Sequence, residues 1–201
     1  MRGSGPGRMP GILVLAFLGL VLTTGCPFES DVPLGSPGPG SLDPQLRGRW
    51  VAVDADNTLV EIDFLPFNEG EYLVELREKD KKLERYRAYT VRISGEPFLN
   101  LNEVKDDTAR HPFYFARYSL GRDGVLALRF VGDKAVPRAL GTDQKGLEGF
   151  LAAHLDDVSL DDSKAPIILH RSSGSPDGAA DVLPEPSPKS VYRRTGNSRG
   201  L

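Results

Sequence analysis

Val60-Glu61-Ile62-Asp63-Phe64, with Tyr72-Leu73-Val74-Glu75-Leu76-Arg77 a few residues on, sets the reading of the whole chain. Side chains two apart on an extended backbone share a face, so Val60, Ile62 and Phe64 look one way while Glu61 and Asp63 look the other. Tyr72, Val74 and Leu76 repeat the pattern against Leu73, Glu75 and Arg77. Tyr89, Val91 and Ile93 repeat it against Thr90 and Arg92. These runs predict half-buried strands, one face on a core and one in water.

Turn residues separate the runs at the short spacing of antiparallel neighbours. Asp54-Ala55-Asp56-Asn57, Pro66-Phe67-Asn68-Glu69-Gly70, Ser94-Gly95-Glu96-Pro97 and Arg122-Asp123-Gly124 all carry turn chemistry. Lys79-Asp80-Lys81-Lys82 reads as the solvated tip of a further hairpin. Trp50 and Val51 open a first strand after Gly48, and stretches 98–101, 113–120 and 125–131 add three more. The last two are apolar on both faces: Phe113 and Phe115 oppose Tyr114 and Tyr118, and Leu126, Leu128 and Phe130 oppose Val125 and Val131. A strand buried on both sides needs a cover.

One candidate cover follows in the chain. Thr142 or Asp143 can cap a helix running to Leu155, with Leu147, Phe150, Leu151, His154 and Leu155 on one face. Gly146 and Gly149 weaken it by up to about 1 kcal/mol each relative to alanine, which close packing on a sheet would explain. Stretch 167–171 is then a final strand. Seven strands, a helix and an eighth strand make an even antiparallel count, so the last can pair with the first and leave no edge. The predicted fold is mainly β: an antiparallel eight-strand barrel or clam with one helix before the last strand. An open antiparallel sheet with the helix on one face is the alternative.

The segments flanking this domain differ from it. Arg2 and Arg8 form a positive start, residues 12–22 are an uncharged apolar run, and small residues lead to Cys26. That is the layout of a secretory signal peptide, and the run is too short for a bilayer span of about 20 residues. Leu22-Thr23-Thr24-Gly25-Cys26 resembles the lipobox of bacterial lipoproteins, with Thr23 where leucine is more usual. The resemblance implies cleavage before Cys26, two or three acyl chains on that residue, and attachment to a membrane. Each buried methylene contributes about 0.8 kcal/mol, so such an anchor is effectively permanent. Acylation also accounts for a single unpaired cysteine in an exported chain. Pro27 stands where an aspartate would favour inner-membrane retention, so the outer membrane is the expected address. An ordinary signal peptide cut nearby is the other reading.

The expected organisation is a signal peptide over 1–25, acylated Cys26 and a flexible Gly/Pro linker over 26–44, a barrel-like domain over 45–172 and a disordered tail over 173–201. Stretch 27–44 is rich in Gly, Pro and Ser, and as coil it would span roughly 23 Å. Residues 173–201 hold too little apolar content to fold alone. The net charge of -3 gives no push towards nucleic acid.

Leu46-Arg47-Gly48-Arg49-Trp50 is similar to the Gly-x-Trp opening of lipocalin-like proteins. In that family the tryptophan closes one end of the barrel beneath an arginine of a late strand, a part that Arg171 can take here. The helix before the final strand is lipocalin-like too. The chain departs from the family in lacking a Thr-Asp-Tyr-type motif and in having seven strands, not eight, before the helix. The resemblance implies Gly48, Trp50 and Arg171 as barrel-end residues and a lumen for a small apolar or amphipathic ligand. Tyr72, Tyr89, Phe98, Phe113 and Phe115 are the candidate ligand-lining residues. An eight-strand barrel can instead be filled by its own side chains, which would leave a structural or protein-interaction role in the envelope.

No motif for chemistry emerges. His111, His154 and His170 are far apart and have no acidic or thiol ligand at metal spacing on the same element. Asp156, Asp157, Asp161 and Asp162 lack the alternating ligands and glycine of an EF-hand loop. There is no Gly-x-Ser-x-Gly elbow. Glu61, Asp63, Glu75 and Glu84 stand at positions expected to face outward, while Asn100, Asn102 and Glu103 are the polar group of most interest, fit to line a pocket mouth or, as the more ordinary reading, to make a strand-end turn. The expected protein is a non-enzymatic envelope lipoprotein with no metal and no cofactor, whose partners are the membrane and either a small hydrophobic ligand or an envelope protein.

Overall fold

The structure is a computed structural model that describes residues 26–53, 57–105, 111–161 and 165–172. The predicted signal peptide and the predicted C-terminal tail lie outside the described residues. Eight strands follow in order: β1 (Gly48–Val53), β2 (Leu59–Pro66), β3 (Tyr72–Glu78), β4 (Glu84–Ile93), β5 (Glu96–Glu103), β6 (Phe113–Leu120), β7 (Val125–Phe130) and β8 (Ile167–Arg171). Helix α1 (Gln144–Ala153) lies between β7 and β8. Every strand pairs antiparallel with the next, and β8 pairs with β1 through Trp50↔Arg171 and Val51↔His170. The barrel is closed, not an open sheet, and so has no exposed edge.

In such a meander the connections alternate between the two ends. Those after β1, β3, β5 and β7 share one end, called upper here, and those after β2, β4 and β6 share the lower end. Register then decides which face of each strand looks inward. Pairings such as Trp50↔Ile62, Ile62↔Leu76, Val74↔Tyr86 and Leu99↔Ala116 place Trp50, Ile62, Phe64, Tyr72, Leu76, Tyr86, Leu99, Tyr118, Leu126, Phe130 and Leu169 in one buried cluster within the barrel.

The outside is divided. Over β1–β4 it carries a ladder of ion pairs: Arg49 Nε donates to Asp63 at 2.9 Å, Arg85 Nε to Glu75 at 2.9 Å, Arg77 bonds both Asp63 and Glu75, and Arg87 bonds Glu71. Burial pushes the Asp63 carboxyl up, but the hydrogen bonds from Arg49 and Arg77 outweigh it and hold the group below its ordinary value. Ion pairs outside and hydrocarbon inside are the inverse of a barrel that faces lipid. Over β4–β7 the outside carries a second apolar cluster. Ile93, Phe98, Phe115 and Val131 are buried there against Leu147 and Leu151 of α1 and against Phe28 and Leu34.

Those last two residues correct the expectation of a flexible linker. Residues 27–41 form a strap laid down the outside of the barrel from its upper to its lower end. Pro27 bridges to Gly132 and Ser30 to Phe113, Leu34 N–H donates to Asn100 Oδ1 at 2.8 Å, and Ser41 O accepts from Thr90 N–H at 2.8 Å. Gly35 N–H donates to Glu148 of α1 at 2.8 Å, and the Tyr89 hydroxyl donates to Leu34 O at 3.2 Å. The glycines serve close approach. Gly35 sits at φ +60 with Val91 Cγ1 2.9 Å from where a Cβ would be, and a Cβ on Gly70 would meet the Gly38 backbone at 2.8 Å. Composition suggests freedom here because it does not register that Phe28 and Leu34 have an apolar face to cover.

The helix begins where expected, with Asp143 accepting from Gly146 N–H at 3.1 Å. Its glycines are not explained by packing on the sheet. A Cβ on Gly146 would strike the capping Asp143 carboxylate at 2.3 Å, and Gly149 faces open space.

Candidate functional site

The lower end is plugged by a single helical turn, Pro44–Leu46, whose cap Asp43 accepts from Gln45 N–H. Trp50 is completely buried above it and donates its indole N–H to Leu46 O at 2.8 Å. The Arg171 guanidinium lies over the indole, 4.3 Å from the ring centroid, and bonds Arg47 O at 2.7 Å as well as Gln45 O. Gly48, at φ +107, makes the bend from plug into β1 next to that guanidinium. The three barrel-end residues named from the sequence therefore meet in one arrangement. A stacked cation of this kind contributes about 0.5–2 kcal/mol. A groove of about 510 Å³ opens beside the plug, lined by Asp43, Thr90, Arg92, Pro97 and Tyr118 among others. The Tyr118 hydroxyl bonds Asp43 there at 3.0 Å.

The five candidate ligand-lining residues do not share a cavity. Tyr72 faces the lumen but is fully buried, edge-on to Phe64 with centroids 5.8 Å apart, and its hydroxyl donates to Asp43 O. Burial pushes that phenol up to about 12, so it stays a donor. Tyr89, Phe98, Phe113 and Phe115 belong to the outer face and are covered by the strap and α1. Both faces of these strands are apolar, so alternation alone assigns neither to the lumen. Register does so, through Ala88↔Leu101 and Leu99↔Ala116. The described side chains pack the middle of the barrel: Trp50, Phe64, Tyr72, Leu99, Leu126, Phe130 and Leu169 are at most 2% exposed, and the buried members of the cluster reach 7% at Tyr118 beside the groove. A ligand-sized void would leave its lining open to a water-sized sphere.

Polar groups gather at the upper end. The register pairs Leu76↔Glu84, Val60↔Glu78 and Tyr86↔Glu103, which turns all three carboxylates towards the mouth. Glu84 was expected to face outward, and the hairpin register reverses it. The Tyr86 hydroxyl donates to Glu84 at 2.7 Å, Lys105 pairs with Glu103 at 2.8 Å, and Lys81 pairs with Glu78. Burial raises the Glu84 carboxyl above its ordinary value, and the charges of Glu103 and Glu78 add to that against the Tyr86 bond. Burial likewise raises the phenols of Tyr86 and Tyr114.

A carboxyl raised in the folded state costs stability when ionised, and the cost disappears below its unfolded value of about 4.3. Glu84→Gln, which retains an acceptor for Tyr86, should therefore raise the melting temperature at pH 7, with the gain shrinking towards pH 4. A melting temperature unchanged or lowered at pH 7 would contradict this.

The remaining candidates have structural partners. His154 ends α1, stacked on Phe150 at 4.1 Å, and His170 is exposed on β8. Asp157 caps the turn Val158–Leu160, and Asp161 binds Arg117 at 2.7 Å and Arg129 at 3.5 Å. Asp162 lies outside the described residues. Among the described residues no three His, Cys, Asp or Glu side chains are grouped to hold a metal. Asn102 holds the carbonyls of His111 and Pro112 at 2.8 and 3.2 Å. Asn100, by contrast, is fully buried under the strap rather than at a mouth. Its role as a clasp, shared with Glu148, was not foreseen; one asparagine within the apolar run 98–101 was the available signal. Cys26 is exposed at the upper end, and its carbonyl accepts from Asp133 N–H at 2.9 Å. Comparison with protein-family models, with curated proteins and with solved structures finds no match to this chain.

Proposed function

We propose that this chain is a lipid-anchored protein of the bacterial envelope, held through an acylated Cys26, that acts through its outer surface and catalyses no reaction. The observation that favours the outer surface is the middle of the lumen packed by its own side chains; the non-enzymatic reading rests on the sequence, which offers no catalytic motif. A barrel whose middle is packed by its own side chains favours a structural or protein-contacting module over a carrier, and leaves the groove beside the plug as the place for a small molecule. The ion-pair face over β1–β4 suits such contacts, since charged groups of both signs steer and register a partner more than they hold it. The anchor half rests on the lipobox-like residues 22–26, and Pro27 makes the outer membrane the expected address.

The test is metabolic labelling with a fatty acid, followed by native mass spectrometry of the purified protein. The wild-type chain should carry label and partition into detergent, and Cys26→Ser should do neither. The native mass should equal that of the acylated chain alone, with no uptake of a hydrophobic dye. Label retained by Cys26→Ser would end the anchor reading. A second molecule riding in the barrel would end the filled-lumen reading.

A further inference from the structure

We infer that the upper end of the barrel is the face turned to the membrane, and that the domain rests directly on the bilayer with no spacer. The inference rests on the proposed anchor at Cys26 and deepens it. The chain is tied to the barrel from its first described residue onwards: Cys26 O accepts from Asp133 N–H, Phe28 N–H donates to Val131 O, and Pro27 bridges to Gly132. Gly132 and Asp133 follow directly on the upper end of β7. Whatever apolar group precedes Pro27 is therefore delivered to the upper rim.

The rim fits that placement. Val53 and Leu59, partners across the β1–β2 pair, and Val104 beyond β5 are exposed hydrophobic residues at this end; Leu65 and Phe67 are exposed at the lower end too, so it is the backbone ties of residues 26–28 that choose between the two. Of the lysines at this end, Lys81 pairs with Glu78 and Lys105 with Glu103. The lower end, with its tryptophan plug and groove, then points away from the membrane, and the ion-pair face stands upright beside it. A partner is met at the lower end or the side.

The experiment uses the acylated full chain in vesicles of phosphatidylethanolamine and phosphatidylglycerol that carry nitroxide-labelled lipid. The acyl chain consumes the Cys26 thiol, so a second cysteine can be labelled alone with a fluorophore. Lys82→Cys marks the upper β3–β4 tip, and Glu69→Cys marks the lower β2–β3 turn; both sites are exposed and separated by the length of β3, roughly 20 Å. Quenching at 82 should exceed that at 69 several-fold. An 18-residue Gly/Ser insert between Cys26 and Pro27 should abolish the difference, since such a coil spans roughly 23 Å and lets the domain tumble. Equal quenching in the uninserted chain, stronger quenching at 69, or a difference that survives the insert would each overturn the inference. Failure of the protein to enter the vesicles at all would instead strike the anchor reading beneath it.

Discussion

Deletion of residues 27–40 should destabilise the domain by about 5 kcal/mol and leave much of it unfolded or insoluble. Phe28 and Leu34 are 2% and 0% exposed, and burying each contributes roughly 1.5–3 kcal/mol. Their loss also uncovers Phe98 and Phe115 and strips Asn100 and Glu148 of the amides they bind, and a buried acceptor left unpaired costs about 1–3 kcal/mol. The expected loss is comparable with the whole stability of a small domain, about 5–15 kcal/mol. Urea titration of chains with and without the segment decides the matter. If the midpoints coincide, the stretch is a tether after all, and the membrane orientation inferred from it fails as well.

Trp50→Ala should lower stability by about 3–5 kcal/mol, the range for a large aromatic removed from a core. The tryptophan is completely buried, and its removal frees Leu46 O and takes the platform from beneath Arg171. Trp50 is the only tryptophan, so the titration must be followed by circular dichroism rather than intrinsic fluorescence. An Arg171→Leu change on both backgrounds completes a double-mutant cycle, with a coupling of about 0.5–2 kcal/mol expected for the stacked pair. A loss below about 1 kcal/mol for Trp50→Ala, against that same range, would show that the plug is decoration rather than structure.

How far the sequence could be read depended on what decided each feature. Strands such as 59–66 and 72–78 were legible because a two-residue repeat and a flanking turn are local properties. The closure followed from counting them, and α1 from its cap and apolar spacing. Tyr89, Phe98 and Phe115 were misplaced because their strands are apolar on both faces, and a period of two names two faces without saying which is inside. Glu84 was misplaced for a related reason, since its face depends on how many residues the preceding hairpin spends in its turn. A shift of one residue moves a whole strand's side chains to the other face.

The alternation along 59–93, the even strand count and the lipobox-like residues 22–26 are thus properties of the chain by itself. They yield an antiparallel β architecture and an expected address. The tertiary structure alone decided that the middle of the lumen is packed by its own side chains, that three glutamates meet at the mouth, and that a Gly/Pro stretch is a fitted strap. The physical reason is that packing is a relation between distant residues. Gly35 reads as freedom until Val91 is placed 2.9 Å from its missing Cβ, and only then as a requirement.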